Sequence, residues 1–193
     1  MNLYRRIDRE VKGWLSDKNG RWLASLASEV PEHQAIVQVG VYHGRSCFYM
    51  AVEAKATVYG IDPWDLPGER KTSKGEPFTD PEHRLAAYRH RAELGMESKV
   101  EFIQGFSVEV AKGWGIPVGL LMIDGEHTHE ASLADARAWE PHLAPGAVVA
   151  IDDVTPKFAG VEKTVEVLEQ EWGPSQRRNR FAWWRLESGS KIT

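Results

Sequence analysis

Acidic residues follow two short apolar runs in the segment Gly119–Val154. The run LLMID ends at Asp124, and the run AVVAIDD ends at Asp152 and Asp153. Each run has the length of a buried strand, and a helix-length stretch separates the two. Because adjacent parallel strands lie about 4.8 Å apart, this β-α-β unit predicts three carboxylates at one edge of a sheet. His127 lies three residues past the first acid, so the segment predicts a site for a hard divalent cation with a base beside it.

A second set of residues suited to binding lies in VGVYHGRS, Val39–Ser46. Glycines at positions 40 and 44 permit a tight turn, and the N-terminus of the following helix offers free N–H groups to an anion. The next predicted strand is followed by Asp62, which is placed to bind the two hydroxyls of a ribose. Turn and acid together suggest an adenosine-containing ligand whose anionic end lies at the first turn. The alternative is a solvent-facing Asp62 that only opens an Asp-Pro turn.

These residues must be positioned by strands that alternate with helices. The predicted strands are Ala35–Val39, Thr57–Ile61, Val100–Gln104, the two runs that end in acid, and Phe181–Leu186, with Gln176–Asn179 as a hairpin partner of the last. The predicted helices are Leu3–Leu15, Gly20–Val30, Ser46–Ala54, Glu82–Leu94, Ser107–Gly113, Ala131–Leu143 and Gly160–Trp172. The alternation predicts an α/β fold, with one Rossmann-like, doubly wound sheet of six or seven mostly parallel strands and helices on both faces. Residues 31–193 would form this domain, and residues 1–30 an N-terminal helical extension packed on it.

Composition limits the class of partner. The chain has 193 residues, a formal net charge of −4 and 42% hydrophobic residues, which favours a single domain and argues against nucleic acid or an acidic membrane as partner. The single Cys47 cannot form an internal disulfide, and no run of 18 apolar residues exists, so we expect a cytoplasmic protein. We interpret the basic run Arg177–Arg180 as a solvated turn. The polar segment Pro63–Pro81 and the N-terminal helices are predicted to cover the acceptor site.

From about Gly13 to Val165 the chain resembles the class I S-adenosylmethionine-dependent methyltransferases. It is most similar to the small metal-dependent O-methyltransferase branch, methyltransferase domain family 24, which includes macrolide-sugar O-methyltransferases and cephalosporin-hydroxylase-like proteins. The resemblance is carried by the segments GWLSDKNGRWLASLA, IVQVGVYHGRSCFYMA, VYGIDPW, VEFIQGFSVEVA, LLMIDGEHTHEASLADARAWEPHLAPGAVVAIDDV and GVEKTV.

The resemblance implies a role for each matching residue. The residues implied to bind the cofactor are Gly40, Tyr42, Gly44 and Ser46 around its methionine end, Asp62 at the ribose, Phe106 and Ser107 near the adenine, and Asp124 at its border. The resemblance also implies a divalent cation, with Mg²⁺ as the first candidate, bound by Asp124, Asp152 and Asp153. His127 would be the catalytic base. Trp64 would cover the adenine or belong to the lid, and both assignments stay open.

One position departs from the family pattern. Related proteins carry an acid two residues before the first glycine, and here that residue is Gln38. Its amide carbonyl can hold the amino-acid end of the cofactor, but without a charge.

The sequence as a whole predicts a metal-assisted O-methyltransferase that uses S-adenosylmethionine. Its acceptor would be a small hydroxylated molecule such as a sugar or a catechol-like ring, and the resemblance suggests a homodimer. Two alternatives stay open, a hydroxylase-like member that keeps the metal site and a non-catalytic cofactor-binding protein. A nicotinamide dehydrogenase is disfavoured because the chain lacks G-x-G-x-x-G, and because hydride transfer does not require carboxylates at two adjacent strand ends.

Overall fold

A seven-stranded sheet runs through the molecule. The computed structural model describes residues 2–64, 66 and 81–186. The strands are Ala35–Val39 (β1), Thr57–Asp62 (β2), Val100–Gln104 (β3), Val118–Ile123 (β4), Leu143–Ile151 (β5), Gln176–Arg178 (β6) and Phe181–Arg185 (β7). Their order is β3-β2-β1-β4-β5-β7-β6, in which the first five are parallel and β7 is antiparallel to both of its neighbours. This confirms the predicted doubly wound sheet.

In the residues that the structure describes, seven α-helices cover the two faces of the sheet. They are Leu3–Glu10 (α1), Asp17–Ser28 (α2), Arg45–Glu53 (α3), Pro81–Glu93 (α4), Ser107–Lys112 (α5), His129–Trp139 (α6) and Ala159–Trp172 (α7). Helices α1 to α4 contribute to the core on one face, and α5 to α7 to the core on the other. Among the described residues, no helix is both long and apolar enough to cross a membrane.

The strands are apolar on both sides because both of their faces are covered. In β4, Leu120 and Met122 lie in the first core, whereas Leu121 and Ile123 lie in the second. The parallel register of β1, β2, β4 and β5 brings their carboxyl ends to one edge of the sheet. Of the acids singled out in the sequence, Asp62 is the last residue of β2, and Asp124, Asp152 and Asp153 follow β4 and β5 at this edge.

The first helix is shorter than predicted. It ends at Glu10 rather than Leu15, because Arg45 donates hydrogen bonds to the backbone carbonyls of Ile7, Asp8 and Val11 at 2.8–3.1 Å. An arginine on these terminal carbonyls stabilises the end of a helix. Residues 11–15 are thereby released from the helix. The division of the chain at residue 30 remains a prediction.

The region between β4 and β5 also differs from the prediction. Helix α6 starts at His129 instead of Ala131, since the Thr128 hydroxyl caps it by accepting from the backbone N–H of Ala131 at 3.2 Å. It ends at Trp139 and a short 3₁₀ turn with Pro141 follows, so β5 begins already at Leu143. The polar segment predicted as a cover lies, apart from residues 63, 64, 66 and 81, outside the described residues.

Candidate active site

The first turn, residues 40–46, is shaped by glycine and by contact with the end of β4. Gly40 has a φ of 82°, and a Cβ atom there would collide with the backbone carbonyl of Asp124. Gly44, with a φ of 88°, is the N-cap of α3. Only glycine combines a left-handed backbone with so close an approach. Gly40 therefore allows the first turn to pack directly against the strand end that carries Asp124.

Asp62 braces the same turn. One carboxylate oxygen accepts hydrogen bonds from the backbone N–H groups of Val41 at 2.8 Å and Tyr42 at 3.2 Å, and the other accepts from Trp64 N–H at 2.8 Å. Asp62 is 7% exposed, so it does not face solvent as the alternative interpretation required. Its role at a ribose remains a prediction.

Gln38 is buried beneath the first turn. Its amide nitrogen donates to the carbonyl of Gly40 at 2.7 Å and to the Ser46 hydroxyl at 2.5 Å, while its amide oxygen accepts from the Cys47 thiol at 3.2 Å. The amide thus joins β1, the turn and α3 from below. A carboxylate could not make the two donated hydrogen bonds. The glutamine at this position is therefore matched to its neighbours.

The carboxylate edge comprises Asp124, His127, Asp152 and Asp153. Strand β5 ends at Ile151, before both of its acids, and Asp153 has a φ of 60°. In a continuing strand, the adjacent residues Asp152 and Asp153 would point to opposite faces of the sheet. Because the chain turns here, they are not bound to that alternation. One oxygen each of Asp124 and Asp153 and one ring nitrogen of His127 lie within 4.8 Å of one another. Ligand atoms bound at 2.0–2.6 Å to one cation have separations of about this size.

His127 is held by an aromatic and an acidic neighbour. Its ring stacks on Phe158, with centroids 4.1 Å apart and planes at 24°. The Nε2 atom lies 2.9 Å from Asp153 Oδ2, but the contact lacks the geometry of a hydrogen bond. Within the described part of the chain, this buried nitrogen has no hydrogen-bond partner.

Arg180 reaches the carboxylate edge from the turn between β6 and β7. Its guanidinium binds both oxygens of Asp152, at 2.5 and 2.8 Å, and lies 3.2 Å from Asp153 Oδ1. We interpreted the run Arg177–Arg180 as a solvated turn. That interpretation holds for Arg177, which is half exposed and pairs with Glu169, but not for Arg180. Spacing in the sequence gave no signal for this contact.

The acids of the edge differ in protonation equilibrium. Burial, together with the charges of Asp152 and Asp153, raises the pKa of Asp124 well above its ordinary value. The pKa of Asp153 is lowered. Burial alone would raise it, but contact with His127 and the charges of Arg180 and Lys157 outweigh the effect of burial. Hydrogen bonding to Asp152 raises the pKa of Arg180 further above its usual range, so this guanidinium stays charged.

Two cavities meet at the edge of the sheet. The larger, of about 640 Å³, and the smaller, of about 310 Å³, share Gly40 and Glu126 in their linings. Of the predicted site residues, the larger cavity is lined by Gly40, Tyr42, Ser46, Asp62, Asp124, His127 and Asp153, and the smaller by Gly40, Phe106 and Ser107. Gly44 and Asp152 line neither of the two. The structure thus places most of the predicted residues around a cleft formed by these two adjoining cavities.

Trp64 belongs to the base of the cleft. It is 2% exposed, its indole N–H donates to the Tyr42 carbonyl at 3.1 Å, and its ring packs edge-on against Phe102 at 5.9 Å. This packing favours neither a lid nor an exposed cover for the adenine.

The N-terminal segment, whose helices we predicted as part of the cover over the acceptor site, forms a wall of the larger cavity. Lys12, Gly13, Trp14 and Leu15 line it, and the 77% exposed Trp14 lies over Tyr42 with ring centroids 4.9 Å apart. Arg45 holds this segment through the Leu15 carbonyl at 2.8 Å. The wall exists because α1 ends early.

Comparison with known proteins decides the family. A family model described as a methyltransferase domain matches residues 37–154, which contain the first turn and all four residues of the carboxylate edge. The chain belongs to this methyltransferase family. The match confirms the predicted class I S-adenosylmethionine-dependent methyltransferase, because the strand order and the cleft at the carboxyl ends of the strands agree with it.

Solved structures share the fold of this methyltransferase at low sequence identity. A protein from Corynebacterium glutamicum is 15% identical with a TM-score of 0.72, over 96% of this chain and 90% of that one. The O-methyltransferase TomG from Streptomyces achromogenes, involved in tomaymycin synthesis and solved with S-adenosylmethionine, is 17% identical with a TM-score of 0.67, over 96% and 86%. An O-methyltransferase from Bacillus cereus, solved with S-adenosylhomocysteine, is 14% identical with a TM-score of 0.65, over 88% and 79%.

Proposed function

We propose that this methyltransferase transfers the methyl group of S-adenosylmethionine to a hydroxyl of a small molecule, with the help of a divalent cation. The observation that carries the proposal is that residues of the first turn line the same cavity of about 640 Å³ as Asp124, His127 and Asp153 of the carboxylate edge. A volume of this size suits a ligand pocket, which typically measures about 300–1,000 Å³. A group bound at the first turn would therefore lie beside His127 and the acids. The solved relatives described as O-methyltransferases support transfer to oxygen.

The two cavities suit the two ends of the cofactor. In this proposal Gly40, Tyr42, Gly44 and Ser46 surround its amino-acid end, and Asp62 holds the ribose. Phe106 and Ser107 flank the adenine in the smaller cavity, where the Ser107 hydroxyl is already fixed by a hydrogen bond from the Trp139 indole at 2.8 Å. Asp124 borders the cofactor on the side of the acceptor.

His127 is the proposed base. A neutral imidazole nitrogen can accept a proton from a hydroxyl. The Asp153 carboxylate, 2.9 Å from Nε2, would stabilise the ring once it carries that proton. Stacking on Phe158 keeps the ring plane fixed, which limits the orientations from which an acceptor hydroxyl can approach.

Two of the acids, Asp124 and Asp153, lie close enough to share a divalent cation. Oxygens of Asp124 and Asp153 come from different strand ends to within 4.8 Å, where two carboxylates repel each other unless a proton or a cation lies between them. Oxygen ligands favour Mg²⁺, Ca²⁺ or Mn²⁺. We assign Asp124, Asp152 and Asp153 to the cation and leave His127 for the proton. A bound cation would lower the pKa of an acceptor hydroxyl that reaches it.

Calorimetric titration with S-adenosylmethionine and S-adenosylhomocysteine, with and without Mg²⁺, tests the proposal. We expect micromolar binding of both to the wild type, and a Mg²⁺ binding signal that disappears in Asp124→Asn. Glu97→Gln is the matched control. It removes an exposed carboxylate that is distant in the sequence from the acids of the cleft, and it should retain the Mg²⁺ binding signal. Methyl transfer to a panel of catechols and hexoses, with the ether product identified by NMR, would then establish the acceptor. A folded wild type that binds neither cofactor form would refute the proposal.

A further inference from the structure

Arg180 occupies the carboxylate edge in a way that the proposed function does not use. Its guanidinium takes both oxygens of Asp152, which is only 2% exposed, and also contacts Asp153. A planar guanidinium matches a carboxylate in this bidentate arrangement and neutralises its charge. Two of the three acids assigned to the cation are therefore already in contact with a positive charge belonging to the protein.

The backbone around Arg180 is fixed on both sides. Its carbonyl accepts from the N–H of Val154, the residue after Asp153, at 2.8 Å. The neighbouring Asn179 has a φ of 52°, and its side-chain amide donates to Asn19 on α2 at 2.7 Å. The guanidinium is thus delivered to the acids by an anchored turn. Arg180 also lines the larger cavity, so its side chain has space to withdraw towards it.

A divalent cation and this guanidinium compete for the same oxygens. Each lone pair of Asp152 that accepts from Arg180 is withheld from a metal, and two positive groups a few ångström apart repel each other. With Arg180 in place, the three acids and one guanidinium leave two formal negative charges. Without it, the three acids would carry three formal negative charges, and the buried Asp152 would lack its main counter-charge.

We propose that Arg180 is an internal counter-cation that competes with the divalent cation for Asp152 and Asp153 and thereby sets the metal affinity of the cleft. The inference rests on the proposed function in taking the carboxylate edge as the cation site. It opposes a simpler role in which Arg180 only holds Asp152 in place as a ligand. The two roles predict opposite changes in affinity when the guanidinium is removed.

Titration of the metal-free protein with Mn²⁺, followed by electron paramagnetic resonance of the free ion, distinguishes the two roles. We expect Arg180→Gln to bind Mn²⁺ about tenfold or more tightly than the wild type, because one repelling charge has been removed at close range. Arg177→Gln is the matched control, since it removes the same charge from the same hairpin but from an exposed pair with Glu169 at 3.1 Å. Its affinity should stay within about twofold of the wild type, as for an exposed charge.

Equal or weaker Mn²⁺ binding by Arg180→Gln overturns the inference, as does the absence of binding to either protein. If Arg180→Gln does not fold, Arg180→Lys keeps a charge but loses the bidentate contact, and should bind Mn²⁺ about threefold more tightly. No gain in Arg180→Lys would then refute the competition. S-adenosylhomocysteine binding in metal-free buffer reports separately on the proposed function, because Arg180 is not assigned to the cofactor.

Discussion

The first turn and the carboxylate edge lie side by side in one cleft, yet they are stabilised in different ways. Hydrogen bonds between neutral groups and the backbone support the turn, and the one acid involved, Asp62, is matched by backbone N–H groups. Charged side chains form the edge, where Arg180 and His127 contact acids that would otherwise repel one another. We therefore expect the stability of the first turn to depend on side-chain size and backbone conformation, and the stability of the carboxylate edge to depend on charge.

The largest expected effect is on the shape of the turn. Gly40→Ala adds a Cβ at a φ of 82°, directly against the backbone carbonyl of Asp124, so the turn and the end of β4 must separate. We expect the free energy of unfolding in urea to fall by about 4 kcal/mol, with loss of S-adenosylhomocysteine binding. Gly113→Ala, where an added Cβ meets nothing within 4 Å, should change it little. A Gly40→Ala protein of normal stability would remove the argument that the turn is limited by shape.

Charge at the edge should produce the next largest effect. Asp152→Ala leaves the Arg180 guanidinium with only the 3.2 Å contact to Asp153 and opens space beside it. Removing one partner of a buried ion pair should lower the free energy of unfolding by about 3 kcal/mol. Glu109→Ala breaks the exposed pair with Lys112 and should cost less than about 1 kcal/mol in the same urea titration. Similar losses in both variants would show that the Asp152–Arg180 pair is not an effectively buried one.

A smaller effect is expected when a negative charge, of the kind found at the carboxylate edge, is introduced beneath the first turn. Gln38→Glu places a carboxylate where the amide donates to Gly40 and Ser46, and burial prevents water from replacing these bonds. We expect a loss of about 2 kcal/mol at pH 7, measured by thermal unfolding without cofactor. Gln170→Glu, the same change on an exposed face of α7, should be nearly neutral. An unaffected Gln38→Glu would mean that the neutral character of the turn is incidental.

The same contrast explains what the sequence could reveal. Apolar runs followed by acid placed Asp124 and Asp153 correctly at the strand ends, because burial of a parallel strand on both faces leaves a clear pattern. The two glycines likewise indicated the turn. Such features depend on residues close together in the chain.

Contacts between distant segments could not be predicted in this way. Arg180 reaches Asp152 only because β7 pairs antiparallel with β5, with Ala182 opposite Ile151. The early end of α1 results from Arg45, more than thirty positions away. Thr128 is different, since a threonine before His-Glu-Ala is a recognisable helix cap and could have given the start of α6.

The smallest expected effect is an increase in the free energy of unfolding. It is expected when the charge of Asp124, which the metal-free protein stabilises poorly, is removed. Burial and the neighbouring acids raise the pKa of Asp124, so the folded state binds its proton more tightly than the unfolded state. Its ionisation therefore destabilises the fold as the pH rises above the unfolded pKa, and below that pKa the residue has no such effect. Asp124→Asn should raise the free energy of unfolding by about 1 kcal/mol at pH 8 without metal, and change it little near pH 4. Asp17→Asn is the control of opposite sign, since hydrogen bonding to Arg21 lowers the pKa of Asp17. Urea titrations over this pH range measure both variants, and a stability of Asp124→Asn below that of the wild type at pH 8 would show that the edge tolerates its acids without a cation.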